Sequence, residues 1–264
     1  MAYLADYSLI IDSSASSQLQ LSEEPCMAFR RLKQALRKRK LNHSGIRVDQ
    51  RVNWIAYGAR SGIWAIYPDA LSSKSVIYSF GVGNNIAWDL AMIEHYGVEL
   101  HAFDPTPRSI DWIGEQSLPQ EFHFHPVGLS GFDGLRGFVV PRRGHQFNYS
   151  SIGSEVGSGG KIHCPVKRFA KLQAELAHDV IDVLKMDIEG EEIRALPDIL
   201  ANSPLPGQLL VEFHYNYPEI LYDSFLDLVG QLRMAGYRIF HISERGYEFS
   251  FIHQRVLGVA TNND

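Results

Sequence analysis

From residue 76 onward the chain alternates short apolar runs with longer stretches whose apolar residues recur at helical spacing, and this alternation restricts its fold more than any other feature. Residues 76–80, 98–103, 122–129, 180–186 and 209–213 read as strands. Between them, Ile86, Leu90 and Ile93 mark a helix stopped at Gly97, and Thr106-Pro107 supplies the cap and first position of a helix through Trp112. Phe169, Leu172 and Leu176 share one helical face, and Ile193, Leu196, Ile199 and Leu200 mark a helix in which Pro197 is a kink or restart. Leu221, Phe225, Leu228, Val229 and Leu232 line a further helix ending at Gly236. Strands separated by helices require a mostly parallel sheet covered on both faces. Residues 237–242 and 247–253 have only a short Gly-containing connection, so they predict an antiparallel hairpin. The Gly-rich stretch 131–160 reads as loop or hairpin, and Phe138, Arg142, Arg143, His145, Phe147 and Tyr149 within it are candidates to cover a site.

The 264 residues, 45% hydrophobic and 21% charged, suffice for one large domain or two small ones. Residues 1–24, Ser-rich near 13–17, predict a loosely held arm. Residues 25–40 predict an amphipathic helix, with Phe29, Leu32 and Leu36 on one side and Arg30, Arg31, Lys33, Arg37, Lys38, Arg39 and Lys40 forming a cationic face. That face is either solvated or attracts an acidic substrate or anionic surface. The expected division is an arm with a basic helical segment over 1–60 and the main domain over 61–264. No apolar run reaches the length of a membrane span, and residues 1–11 lack the basic start of a signal peptide. Cys26 and Cys164 are too few for a disulfide scaffold or a Cys-based zinc site, and they suit a cytoplasmic setting. A net charge of −5 argues against a bulk nucleic-acid binder.

An open parallel sheet binds its ligand beyond the carboxyl ends of its strands. Gly81-Val82-Gly83 follows the first of these strands, where backbone and a helix N-terminus can approach a ligand. Asp104 ends the next strand, about twenty residues on, where a carboxylate can accept both hydroxyls of a ribose. This pair does not separate a nicotinamide cofactor from S-adenosyl-L-methionine. Lys185, Asp187 and Glu189 alternate where the fourth strand emerges, and a buried strand ending in so much charge points to an acid/base or ligand-orienting site. Glu191 and Glu192 are explained equally well as acids at a helix N-terminus. Glu212 and His214, two apart, share a face, and His214 is a candidate general base that Glu212 could orient. Asp187, Glu189, Glu212 and His214 match no dedicated metal motif, so no metal is expected.

The strings Val76-Ile-Tyr-Ser-Phe-Gly-Val-Gly83, His101-Ala-Phe-Asp-Pro-Thr-Pro107, Val127-Gly-Leu-Ser130, Ile181-Asp-Val-Leu-Lys-Met-Asp-Ile-Glu-Gly190 and Leu210-Val-Glu-Phe-His214 resemble the FkbM-type family of S-adenosylmethionine-dependent methyltransferases. The resemblance implies an α/β class I methyltransferase (Rossmann-like) fold, a seven-stranded mostly parallel sheet with a C-terminal antiparallel hairpin and helices on both faces. It implies that Gly81 and Gly83 approach the methionine part of S-adenosyl-L-methionine and that Asp104 holds the ribose. Gly128 and Leu129 would border the adenine. Asp187 and Glu189 would face the sulfonium and acceptor, and His214 would flank the acceptor. Ser79 stands where many such enzymes carry an acid, and would hydrogen-bond the cofactor amine. The implied reaction is O-methylation of a sugar or small-molecule hydroxyl. Alternatives are N-methylation of a protein or peptide, or a catalytically silent cofactor-binding scaffold. The partner expected is a small-molecule or glycan acceptor, with a homo-oligomer possible and no nucleic acid, since no Asp/Asn-Pro-Pro-Tyr string follows the fourth strand.

Overall fold

The computed structural model describes residues 20–60, 62–141, 147, 149–152 and 159–260. The expected arm up to residue 19, and the candidates Arg142, Arg143 and His145, lie outside these residues. In chain order the elements are α1 (Gln20–His43), β1 (Ile55–Ala59), β2 (Gly62–Ile66), β3 (Val76–Phe80), α2 (Ala87–Tyr96), β4 (Glu99–Phe103), α3 (Pro107–Gly114) and β5 (Phe122–His125). They continue with β6 (Gly128–Leu129), β7 (Gly134–Val139), β8 (Lys161–Lys167), α4 (Phe169–Glu175), β9 (Val183–Met186), α5 (Glu192–Asn202), β10 (Gln208–Glu212), α6 (Tyr222–Met234), β11 (Tyr237–Ile242), β12 (Glu248–His253) and α7 (Gln254–Ala260).

The central sheet has seven strands in the order β11-β12-β10-β9-β3-β4-β5. β5, β4, β3, β9 and β10 pair in parallel, and β12 runs antiparallel to both β10 and β11. Side chains alternate across it, so each strand feeds two cores. Tyr78, Phe80, Phe103, Leu184, Met186 and Val211 pack with α4, α5 and α6 on one face. Ile77, Leu100, Ala102, Val183 and Leu210 pack with Trp88 and Met92 of α2 on the other. This double burial explains why the strands read as continuous apolar runs rather than alternating ones.

Three expectations change. The strand expected over 122–129 is two: Pro126, which cannot donate to a ladder, ends β5, and β6 joins a separate three-stranded sheet of order β6-β8-β7. That sheet occupies part of the stretch expected as loop or hairpin, with β7 antiparallel to β8. The boundary expected between residues 60 and 61 falls between the paired strands β1 and β2, and Leu41 and Ile46 are buried in the larger core, so the segment from Leu41 packs with the domain. On α1, Phe29, Leu32 and Leu36 are exposed rather than packed. Its basic residues are partly engaged, with Arg37 over the Tyr247 ring at 3.8 Å and Lys40 over Tyr222 at 3.5 Å. Among the described residues no helix is long and apolar enough to cross a membrane.

Candidate active site

The order of the sheet reverses between β3 and β9: the chain lays β4 and β5 to one side, then returns to lay β9 and β10 on the other. Such a switch point leaves a crevice beyond the strand ends. Gly81 leaves β3 with φ of 84°, and a Cβ built on it would stand 1.7 Å from the carbonyl oxygen of Asp187. Only glycine fits there, because the turn must pass against the backbone that leaves β9. Gly81 N–H donates to the Phe103 carbonyl at 3.0 Å, and Asp187 N–H to the Phe80 carbonyl at 3.0 Å, so the three strand ends are locked together.

Asp104 leaves β4 beside this turn and is buried. Its Oδ2 accepts from Gly83 N–H at 3.0 Å, and its Oδ1 accepts from Thr106 N–H at 2.9 Å and Thr106 Oγ1–H at 2.6 Å. Thr106 does cap α3 by position, but its hydroxyl serves Asp104 rather than the helix. A carboxylate fixed by three donors is oriented in advance; Oδ1 already accepts two of them, so the acceptor capacity that remains is on Oδ2.

A cavity of about 170 Å³ opens over these groups. Gly81, Val82, Gly83, Asp104, Gly128, Leu129, Phe138, Phe147 and Tyr149 are among the residues that line it. Gly62, Trp64, Asn85, Trp88 and Lys185 also line it, as do Asp187, Ile188, Glu189 and Glu191. Of the residues expected at the cofactor, Gly81, Gly83, Asp104, Gly128, Leu129 and Asp187 therefore meet in one place. Ser79 does not line the cavity. It is fully buried beneath it, and its Oγ accepts from Lys185 Nζ at 3.2 Å. The strand period puts Ser79 under the turn, facing the neighbouring strand's lysine instead of a ligand.

Of the residues expected to be catalytic, Asp187 and Glu189 line the cavity, and His214 does not line it but faces both of them. His214 is buried, and its backbone N–H and Nδ1 lie 2.8 and 3.1 Å from Glu192 Oε1. Its Nε2 lies 3.4 Å from Glu189 Oε2 and 3.8 Å from Asp187 Oδ1. Burial alone would push the imidazole down, but the charge and hydrogen bond of Glu192, with Glu189 and Asp187 beyond, raise it to about 10. At that value His214 holds a proton at neutral pH, which argues against the candidate general-base role read from the sequence. Glu192, not Glu212, orients it. Glu212 pairs with Arg245 at 3.0 Å, and burial together with the Asp187 and Glu248 charges raises its carboxyl to about 8. Glu189 takes a left-handed backbone, φ 52°, accepts from the Tyr217 hydroxyl, and presents its carbonyl to Ser150 Oγ–H at 2.7 Å. Such strain in a non-glycine residue is found where the surroundings fix a functional turn.

Asp187, Glu212 and His214 each bring one ligand atom within 4.8 Å of the others. In chemical type they could take a divalent cation. Glu212 also pairs with Arg245 at 3.0 Å, and His214 turns Nδ1 to Glu192, which leaves Nε2 facing Asp187 and Glu189.

Trp64 and Trp88 carry no sign in the sequence of belonging to the site, and Glu191 and Glu192 read there as helix-end acids. Glu192 is fully buried under His214, while Glu191 accepts from Ser130 Oγ–H at 2.6 Å and pairs with Arg136 at 3.2 Å. Two adjacent acids at a helix start carry no sign of which faces inward, so only the packing of α5 reveals these roles.

The family described as the methyltransferase FkbM domain matches residues 45–239. Methyltransferase-like protein 24 of Homo sapiens is 23% identical over 175 residues, covering 62% of this chain and 42% of that protein. Its counterpart from Rattus norvegicus is 25% identical over 175 residues with the same coverage, so the chain spans less than half the length of these relatives. Among solved structures, the Methanococcus jannaschii fibrillarin pre-rRNA processing protein aligns with a TM-score of 0.43 at 10% identity, covering 76% of this chain and 89% of that one.

Proposed function

The chain belongs to the family of the methyltransferase FkbM domain, and from that premise we propose that it transfers a methyl group from S-adenosyl-L-methionine to a hydroxyl of a sugar or small molecule. The observation that carries this reading is Asp104: a buried carboxylate at the end of β4, preset by Gly83 and Thr106 N–H groups and facing the same cavity as the Gly81 turn and Asp187. In that position its Oδ2 suits a hydroxyl of a ribose. Gly128 and Leu129, with Phe138 and Tyr149 beside them, offer an apolar slot of the kind an adenine needs.

When bound, the cofactor supplies a methyl group already activated by its sulfonium. The protein's part is then to align an acceptor oxygen with that carbon and to remove its proton. Asp187 is the group we assign to the proton. It lines the cavity with its side chain about one-third exposed, whereas His214 already holds one. His214 acts as a positioning residue: its imidazolium tethers Asp187 and Glu189, and Glu192 holds it from behind. Tyr217 fixes Glu189 by its hydroxyl.

The test is transfer of a tritiated methyl group from the cofactor to a panel of polyhydroxylated glycans, small alcohols and phenols, and peptides. Label in hydroxyl acceptors, abolished in Asp187→Asn, is the expected result. Label confined to peptide amines would replace O-methylation by N-methylation. Binding of cofactor without label in any acceptor class would favour a silent binding module.

A further inference from the structure

Lys185 is 4% exposed, yet among the described residues no carboxylate lies within 4.0 Å of its ammonium. Its one hydrogen bond is to the neutral Ser79 hydroxyl at 3.2 Å. The faces of Trp64 and Trp88 stand 5.5 and 5.9 Å away. Trp88 is 1% exposed, and its Nε1–H has no acceptor. Asp89, next along α2, is buried with neither carboxylate oxygen hydrogen-bonded and pairs with no cation within that distance, so it does not bond Lys185. A buried ammonium without a counter-ion and a buried indole N–H without an acceptor are each costly, and both lessen their cost by meeting the same anion.

Their place says which anion. Lys185 shares its strand face with Val183, the face packed against α2, so it projects to the side where Trp88 lies. Both residues line the cavity of Asp104 and the Gly81 turn. Resting on the cofactor reading above, we infer that Lys185 and Trp88 form the seat of the donor's α-carboxylate, with Lys185 supplying a charge-assisted hydrogen bond and Trp88 Nε1–H a second donor. Where Ser79 replaces an acid, this end of the cavity is cationic. It recognises the amino acid tail of the cofactor by its carboxylate.

The experiment compares two ligands by calorimetry: S-adenosylhomocysteine, and 5′-deoxy-5′-(3-aminopropylthio)adenosine, the same molecule without its carboxylate. Wild-type protein should bind the first at least about tenfold more tightly, the scale of one charge-assisted hydrogen bond. Lys185→Met should bring that ratio close to one by weakening S-adenosylhomocysteine alone. Trp88→Phe, which keeps the ring and removes the N–H, should lower it partway and guards against a misfolded lysine variant. A wild-type ratio near one, or an equal loss of both ligands in each folded variant, would overturn the subsite and leave the cofactor reading standing. Binding of neither ligand by folded wild type would overturn both.

Discussion

Four histidines cluster at one side of the central sheet, His123 and His125 stacked on His101 and His178 edge-on to it, and they make the protein's stability sensitive to acid. His101 on β4 lies with its ring centroid 4.8 Å from His123, 5.2 Å from His125 and 4.7 Å from His178. Its Nδ1 is 2.9 Å from His125 Nε2, and Tyr78, 5.5 Å away, donates or accepts at His178 Nδ1 over 2.8 Å. Burial, with the charges of His178, His125 and His123, lowers His101 to about 3. The folded state therefore keeps this ring neutral at a pH where the unfolded chain protonates it. A lowered histidine costs nothing above its unfolded value near 6.5; below it the unfolded state takes up a proton that the folded state refuses, so stability falls as pH falls. For His101 alone the loss reaches about 2 kcal/mol at pH 5, using 1.36 kcal/mol per pH unit. His101→Phe preserves a flat stacked ring but gives up the hydrogen bond to His125, costing about 1 kcal/mol at neutral pH. The wild type should thus be the more stable at pH 7.5, and the two curves should cross between pH 6 and 5. Urea unfolding followed by circular dichroism at half-unit steps reads this directly, and comparison with the variant cancels the other titrating groups. A constant difference between the two proteins from pH 7.5 to 5 would refute the argument.

Gly81→Ala places a methyl group against the Asp187 carbonyl and demands a left-handed residue, the latter alone costing about 1–2 kcal/mol, so it should lower the melting temperature and abolish S-adenosylhomocysteine binding in a titration. Glu192→Ala leaves the buried His214 without its nearest counter-charge; urea unfolding at pH 7 should show a loss of about 3–5 kcal/mol, with a smaller loss in Glu192→Gln. His214→Ala should reduce turnover more than it weakens cofactor binding, because it loosens Asp187 and Glu189 rather than Asp104 and the Gly81 turn. Equal turnover in the two proteins would remove His214 from the mechanism.

The sheet was legible because its strands are buried on both faces, so 76–80 and 209–213 stand out as apolar runs between helices with clear stops such as Gly97. The hairpin β1–β2 was not legible. Its residues Ile55–Ala59 are mostly exposed and carry neither a strict alternation nor a two-residue turn signal. β8 was missed for a related reason: Lys161, His163 and Pro165 alternate outward and break up an apolar run, although Cys164 and Val166 point inward. At the site, the meeting of Gly81, Asp104 and Asp187 at one cavity could be read because strand-end position fixes where they lie. The charge state of His214 could not, since it depends on Glu192, which only the return of α5 across β10 brings beneath the imidazole.

The central claim is that the cavity between Asp104, the Gly81 turn and Asp187 is built for S-adenosylmethionine, and isothermal titration with S-adenosylhomocysteine tests it most directly. Binding in the micromolar range that is lost in Asp104→Ala, with no response to NAD, is the predicted result. Failure of folded wild-type protein to bind S-adenosylhomocysteine would contradict it.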